Sequence, residues 1–477
     1  MNLFGEDVSM EGNQRAGRGR MGTMWRLSWP AIIEQVLATM VSYVDTAMVG
    51  ALGAAATAAV SVNAASLWLI NGVLSGVGVG FSVLVSHAIG AGDDSRARAV
   101  IRQAVLGTLV CGCAALLLYQ LLAGFIPLWL GAEPDVYPQA VAYLRCYTAA
   151  MPFTAAGLIF SAVLRCMGNS KAPLLFNTMA NVLNIILNFF FIYPTRRGDF
   201  LGMRFAIPGA GMGATGAAIA SAIALTVSGA AIFWCALRQG DRFRVSLRAE
   251  GLRPDRAILR QAVRLGLPSA AERAAVNLGQ IAMTALVASL GTVALAANQI
   301  ATTAEGLCYM PAYGISYAAT ALVGQSVGAQ NREDAEGYGT LSGRLGFFLC
   351  LGTGALLFLL ARPLATLFNS DPAVADQAAL VLRIVSVAEP FFALSIVFTG
   401  ALRGGQDVRF PMAASLICMW GVRIVLAPIL VFVFRMGLEA VWIAMSADLV
   451  LRGILCTVRW RSGKWRRMCG LETAAVK

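Results

Sequence analysis

The sequence predicts an all-α membrane protein: twelve transmembrane helices in two six-helix lobes related by a pseudo-twofold axis along the membrane normal. Three observations lead there. Of 477 residues, 58% are hydrophobic and 13% charged, and mean hydropathy is +0.70. A soluble domain carries roughly 25% charged residues, so lipid is the solvent this chain suits. Twelve apolar runs reach the length of about 20 residues that a bilayer requires. The chain also repeats itself, Leu27, Pro30 and Glu34 recurring as Leu265, Pro268 and Glu272, 238 residues on.

The runs lie near 27–47, 58–85, 103–125, 139–163, 173–193, 211–236, 265–287, 297–323, 345–361, 378–401, 410–434 and 438–457. Each is expected to be helical, because hydrocarbon cannot satisfy open backbone groups. The predicted order is a tail (1–26), a first lobe (27–236), a basic linker (237–264), a second lobe (265–457) and a basic tail (458–477). Loops and tails on the side of residues 1–26 hold 27 Lys and Arg; those opposite hold five, Arg196, Arg197, Arg204, Arg362 and Arg435. That bias puts both termini in the cytoplasm. The net charge of +12 is thus a topology signal, and no nucleic-acid partner is expected. Residues 1–26 do not read as a signal peptide, since Glu34 and Asp45 interrupt the first run and no small-residue cleavage site follows a short apolar core.

The ten cysteines sit mostly in apolar runs and read as small buried hydrophobes. With one histidine, His87, a zinc site or a Ser-His-Asp triad is not expected. His87 itself reads as a loop-edge residue. Without a nucleophile–base pair or a phosphate loop, the chain is not expected to be an enzyme, to hold a cofactor or to need an ATPase subunit.

The repeat runs on through Leu52-Gly53 and Leu290-Gly291, Arg145 and Arg383, Leu164-Arg165 and Leu402-Arg403, and Pro173 and Pro411. Gly213 then pairs with Gly437, a spacing of 224, which places 14 extra residues in an outer loop near 194–210. Halves of six spans each keep the same orientation, the parallel-repeat architecture of alternating-access transporters.

A carboxylate near the bilayer centre costs about 2.5–3.5 kcal/mol or more, so an intramembrane acid marks a functional path by default. Glu34, Asp45, Glu272, Glu305, Glu389, Glu439 and Asp448 fall within the runs, Glu439 at an interface. Asp45 is the leading candidate. Eleven residues after Glu34, it shares a helix face with it about 16 Å along the axis. Asn177, Asn181, Asn184 and Asn188 form one stripe on the fifth run, expected to face the protein interior. Asp448 and Arg452, one turn apart, can pair. Glu305 can pair with Arg273, whereas Glu389 and Arg383 are poorly spaced for a contact. Tyr43, Met283, Tyr309 and Tyr313 are candidates for a greasy cavity wall.

These residues resemble the multidrug and toxic-compound extrusion family. The likeness rests on Trp29-Pro30, Val44-Asp45-Thr46, Gly50-Ala51-Leu52-Gly53, Val323-Gly324-Gln325 and the two Leu-Arg repeats, and covers about residues 25–457. It implies an antiporter that exports amphipathic, cationic drugs or metabolites against H⁺ or Na⁺, as a monomer in the cell membrane. It also implies a cation site of Asp45 with Asn184, Asn188, Ala217 and Ser221. Some members carry a second carboxylate where this chain has Asn188, so H⁺ is expected over Na⁺, and no metal beyond Na⁺ at that site. Acids that the sodium-coupled branch carries in the second lobe fall here on Val276 and Phe392, so that site is not carried over. Glu34, Glu272, Glu305, Glu389 and Asn181 are left as cavity or gating candidates. The alternative expectation is a flippase for a lipid-linked precursor, within the same superfamily.

Overall fold

The computed structural model describes residues 18–200, 203–245, 252–369 and 371–471. Parts of both predicted tails and of the basic linker lie outside the described residues. Helices follow the apolar runs: α1 (Arg18–Gly50), α2 (Ala54–Gly90), α3 (Asp94–Leu122), α4 (Tyr137–Thr148), α5 (Met151–Cys166), α6 (Lys171–Ile192) and α7 (Gly213–Leu237) in the first half. The second half holds α8 (Arg256–Ala288), α9 (Thr292–Gly328), α10 (Arg332–Phe368), α11 (Pro372–Gly404), α12 (Arg409–Leu416), α13 (Ile424–Pro428) and α14 (Leu438–Arg461).

Among the described residues, nine helices are long and apolar enough to cross a membrane, and α4 with α5, bent by 51°, makes a tenth. α8 and α9, at 33 and 37 residues, fall outside that apolar set. They carry polar side chains, Glu272, Arg273 and Glu305 among them. The α4–α5 bend falls just before Pro152, which lacks the N–H a continuous helix would use. α12 and α13 are joined and followed by π-helical turns, Ile417–Arg423 and Ile429–Val433. Pro428, at the end of α13, removes one donor from that ladder. The insertion near 194–210 is a two-stranded antiparallel hairpin, β1 (Pro194–Phe200) with β2 (Met203–Ala210), where the sequence suggested only a loop.

The 238-residue repeat is visible in the backbone and in the packing. Gly53 and Gly291 precede α2 and α9 with the same φ of 103°, a conformation that favours glycine. One apolar core is built only from the first half, around Leu74, Tyr119 and Met151, and another only from the second, around Val385 and Trp442. Two further cores are exchanged. Met24 and Leu27 of α1 insert among second-half residues, while their equivalents Ala262 and Leu265 of α8 insert among first-half residues. Nearby, the ends of α2 and α9 clasp the opposite halves. His87 Nε2 lies 2.7 Å from Gly404 O, and the amide of Gln325 donates to Cys166 O at 2.8 Å. His87 and Gln325 are equivalent positions, as are Cys166 and Gly404. His87 is therefore part of an interhelix contact and not a loop-edge residue.

Glycine permits this approach. A Cβ on Gly90 would strike Gln325 O, and one on Gly328 would strike His87 O. We expect Gly90→Val and Gly328→Val each to cost about 1–3 kcal/mol through overpacking. Thermal unfolding in detergent should show a lowered midpoint for both. Gly50→Ala, where a Cβ meets nothing within 4 Å, should leave the midpoint near wild type.

Candidate functional site

α1, α2, α4, α6 and α7 line a cavity of about 530 Å³, to whose wall α9 adds Gln299. Asp45, Asn181, Asn184, Asn188, Ala217 and Ser221 all line it. Asn188 donates from Nδ2 to Asp45 Oδ1 at 2.7 Å and to Asn184 Oδ1 at 3.1 Å. Asn184 and Asn188 are buried, and Asp45 is half-buried at the cavity wall. The opposite face of α6 shows why the amides turn inward: Met179, Val182, Ile186 and Phe190 point out and are exposed. A helix in lipid buries its polar stripe against protein and leaves its apolar side outside.

One atom of the Asn184 amide lies 2.8 and 3.0 Å from the two Asp45 carboxylate oxygens. If that atom is nitrogen, it donates to an ionised Asp45, and Asn184 Oδ1 accepts from Ser221 N at 3.2 Å and Oγ at 3.1 Å. If it is oxygen, it can only accept a proton from a neutral Asp45, and Asn184 Nδ2 donates to Ser221 Oγ at 3.1 Å. The orientation with nitrogen toward Asp45 suits both ends of the amide, whereas the opposite one sets an amide oxygen against the carboxylate and an amide nitrogen against Ser221 N.

A second cavity, of about 180 Å³, lies between the halves and contains Glu34. Glu34 does not stand free. Arg165 donates to both its oxygens at 2.7 and 2.8 Å, and Asn177 donates to Oε1 at 2.8 Å. Ser228 in turn donates to Asn177 Oδ1 at 2.7 Å. Asn177 therefore serves this ion pair and not the Asp45 site. Arg403 and Ser415 hold Glu272 in the same way, at 2.8 and 3.1 Å. Both pairs join residues 131 apart, so the repeat carries the ion pair with it. Arg165 and Arg403 were legible only as members of the repeated Leu-Arg dipeptide. Their partners emerge only when the end of α5 comes within side-chain reach of α1, and the end of α11 within reach of α8.

The remaining candidates lie elsewhere. Glu272, Glu305, Glu389, Tyr43, Met283, Tyr309 and Tyr313 line neither of these two cavities. Tyr43 donates to Thr303 O at 2.6 Å, joining α1 to α9. Met283 is buried in the second-half core. Tyr309 packs on Phe392 and Tyr313 with ring centroids 5.0 and 6.1 Å apart. Glu305 makes no ion pair with Arg273, among the described residues. Glu389 is fully buried, and neither of its oxygens has a hydrogen-bond partner. Arg383 lies instead over the Phe358 ring, at 6.0 Å. The Asp448–Arg452 pair forms, at 2.6 and 2.7 Å. Glu439 accepts from the N–H of Gly437 at the start of α14.

A bundle of apolar helices around a polar cavity with one acid in its wall has the make-up of a membrane transporter. The family model described as MatE matches residues 30–190 and 268–429, two stretches that begin at the equivalent prolines Pro30 and Pro268. The chain belongs to this family, the MATE multidrug efflux transporters, and is a multi-pass membrane transporter and not an enzyme. A protein of Thermotoga maritima described as "Probable multidrug resistance protein NorM" is 29% identical, over 95% of this chain and 94% of its own length. "Multidrug resistance protein MdtK" of Pectobacterium atrosepticum is 28% identical, over 91% and 94%. An outward-facing multidrug resistance MATE family transporter of the MOP superfamily superposes with a TM-score of 0.85 at 22% identity, covering 97% of this chain and all of that one. A MATE crystal structure in the bent conformation gives 0.84 at 22% identity, over 94% and 97%. These structures share the fold.

Removing one member of a buried ion pair costs about 3–5 kcal/mol, because the other charge is left uncompensated. Arg165→Met should therefore destabilise strongly, and Glu34→Leu combined with Arg165→Met should recover much of the loss. A double-mutant cycle on the thermal midpoint in detergent checks this. An additive double variant would mean that the two side chains do not depend on each other.

Proposed function

We propose that this chain is a secondary antiporter that exports amphipathic, cationic drugs or metabolites in exchange for H⁺. It works as a monomer in the cell membrane with both termini cytoplasmic. Its twelve helices form two lobes that rock about the cavity between them. Asp45 carries the coupling proton, with Asn184, Asn188, Ala217 and Ser221 as its surroundings. The observation that carries this reading is the Asp45 carboxylate in the cavity wall, which meets the amides of Asn188 and Asn184 and forms no ion pair among the described residues.

A proton arriving from outside neutralises Asp45 and turns the Asn184 amide, which loosens or tightens α1 against α6 and α7. Cargo binds the two lobe arrangements unequally, and only that difference lets it drive the cycle. The same site holds one carboxylate among neutral amides and hydroxyls. That favours H⁺ over Na⁺, since a hard cation prefers several oxygen ligands with more charge. Multidrug resistance names among the relatives support drug-like cargo, and the flippase alternative is not favoured.

Asp45→Asn should abolish drug resistance in a sensitive host at unchanged expression. Full export by that variant would remove Asp45 as the coupling residue. Asn184→Leu should retain the fold but lose most ΔpH-driven efflux, because the carboxylate loses its reorienting partner. In proteoliposomes, an imposed ΔpH alone should drive uptake into inside-out vesicles and a Na⁺ gradient alone should not. The opposite result would transfer the coupling to Na⁺.

A further inference from the structure

At the end of the molecule where the halves clasp, a third cavity of about 400 Å³ opens between them. α2 and α3 form one side of it, and α8, α9, α12 and the segment after α14 form the rest. His87, whose Nε2 meets Gly404 O, lies in its wall beside Gln406, whose amide is 3.1 Å from Nδ1. Three arginines line the same space: Arg96 on α3, Arg264 on α8 and Arg409 at the start of α12. Arg96 donates to Gln261 Oε1 at 3.4 Å. The side chains of Arg264 and Arg409 are exposed and make no ion pair or hydrogen bond among the described residues. Among those residues, Asp93 is the one acid in the lining, and it is occupied in capping α3. Its Oδ1 accepts from Ser95 Oγ at 2.7 Å and from the N–H of Arg96 at 2.9 Å. Carbonyls at the ends of α2 and α9 would repel an anion, but the amides of Ala91, Asp93, Ala329 and Asn331 already donate to them.

The repeat supplies an internal comparison. Shifted by 238 residues, Arg264 and Arg409 correspond to Arg26 and Lys171, which are basic too, but Arg96 corresponds to Asp334. Asp334 accepts from Arg20 at 2.8 Å. One copy thus sets an acid among its cations, and the other gathers three guanidinium groups around one recess. A cleft lined by one sign of charge between low-dielectric walls focuses the potential and concentrates counter-ions.

We propose that this cavity binds a phosphate-bearing anion, and that its occupant holds the two halves in the clasped arrangement. Arg96, Arg264 and Arg409 supply planar donor forks, the geometry that suits phosphate oxygens. The start of α12, which no side chain caps, adds backbone N–H groups of the kind that anions use. Arg96 belongs to the first half, and Arg264 and Arg409 to the second. One anion touching all three spans the same boundary as the contact between His87 and Gly404. It binds the closed clasp better than the open one, and so shifts the balance by that difference in affinity. The phosphate can arrive on a free metabolite or on a lipid headgroup. The two share the chemistry and differ in the probe that delivers it. The site is separate from the ion and the cargo proposed above.

The purified full-length protein in neutral detergent is titrated with sodium pyrophosphate, and its thermal midpoint is compared with that in NaCl of equal ionic strength. Pyrophosphate should raise the midpoint saturably, and NaCl should not. Arg264→Gln combined with Arg409→Gln removes two exposed charges without protein partners, so this variant should fold and lose the shift. Arg409→Gln alone should weaken the apparent Kd by about tenfold or more, the loss of one charge-assisted contact, and it serves if the double variant does not fold. Lys171→Gln, at the position equivalent to Arg409, should respond like the wild type. A second titration sets dioctanoyl phosphatidylglycerol against dioctanoyl phosphatidylcholine. A shift with phosphatidylglycerol alone supports the site with a lipid headgroup as its source, and one with pyrophosphate alone supports it with a free phosphate. Shifts with both support the shared chemistry. If neither probe exceeds its control, the proposal is overturned. It is overturned too if the arginine variants respond like the wild type, or if Lys171→Gln loses as much as Arg409→Gln, since the basic face would then act as a whole.

Discussion

Charge in hydrocarbon must be answered by charge or by well-placed dipoles, and the molecule is organised around that demand. Glu34 with Arg165, and Glu272 with Arg403, are the clearest response: one buried ion pair built twice, each backed by a neutral hydrogen-bonding residue, Asn177 in one case and Ser415 in the other. Each pair ties the first helix of a half to the end of a later one. A pair of this kind contributes little net stability against an apolar replacement. Its value is positional, since neither partner can leave without stranding the other. Asp45 is answered differently. It meets the amides of Asn188 and Asn184 and, among the described residues, forms no ion pair.

That contrast separates the acids paired with arginine from the acid held by amides. A carboxylate paired with an arginine has its charge already answered. A carboxylate held by asparagines can accept a proton, because an amide can present either its nitrogen or its oxygen. Asn184 and Asn188 stand beside that carboxylate, and Ser221 Oγ lies 3.1 Å from the Asn184 amide. Glu389, fully buried and without a hydrogen-bond partner, is the second-half group closest to this condition, though no comparable amide stripe surrounds it.

Duplication also shows in how the two halves hold together. Met24 and Leu27 enter the core of the other half, and Ala262 and Leu265 return the exchange. The clasps at His87 and Gln325 lie close to the same end. Both sets lie near the starts of α1 and α8 and the ends of α2 and α9. Further along the helices, Tyr43 with Thr303 and Trp68 with Asn277 also join the halves, and the cavity that holds Glu34 lies between the two halves.

Hydropathy and self-similarity determined the helical membrane class, the helix positions, the repeat and the inward amide stripe, because each depends on spacing along one chain and on the cost of polar groups in lipid. Asp45 was legible for the same reason, and its partners followed from family likeness. Partners that meet across helices were not legible: Arg165 for Glu34, Arg403 for Glu272 and Gly404 for His87 lie 131, 131 and 317 residues apart. Nor was the fate of Met283 or Tyr43, since a greasy residue at helical spacing packs a core and lines a cavity equally well. Only the tertiary structure decided which acids are spent on arginines and which remain available. Charge pairing depends on where the helices meet in space, and a linear pattern holds no record of that.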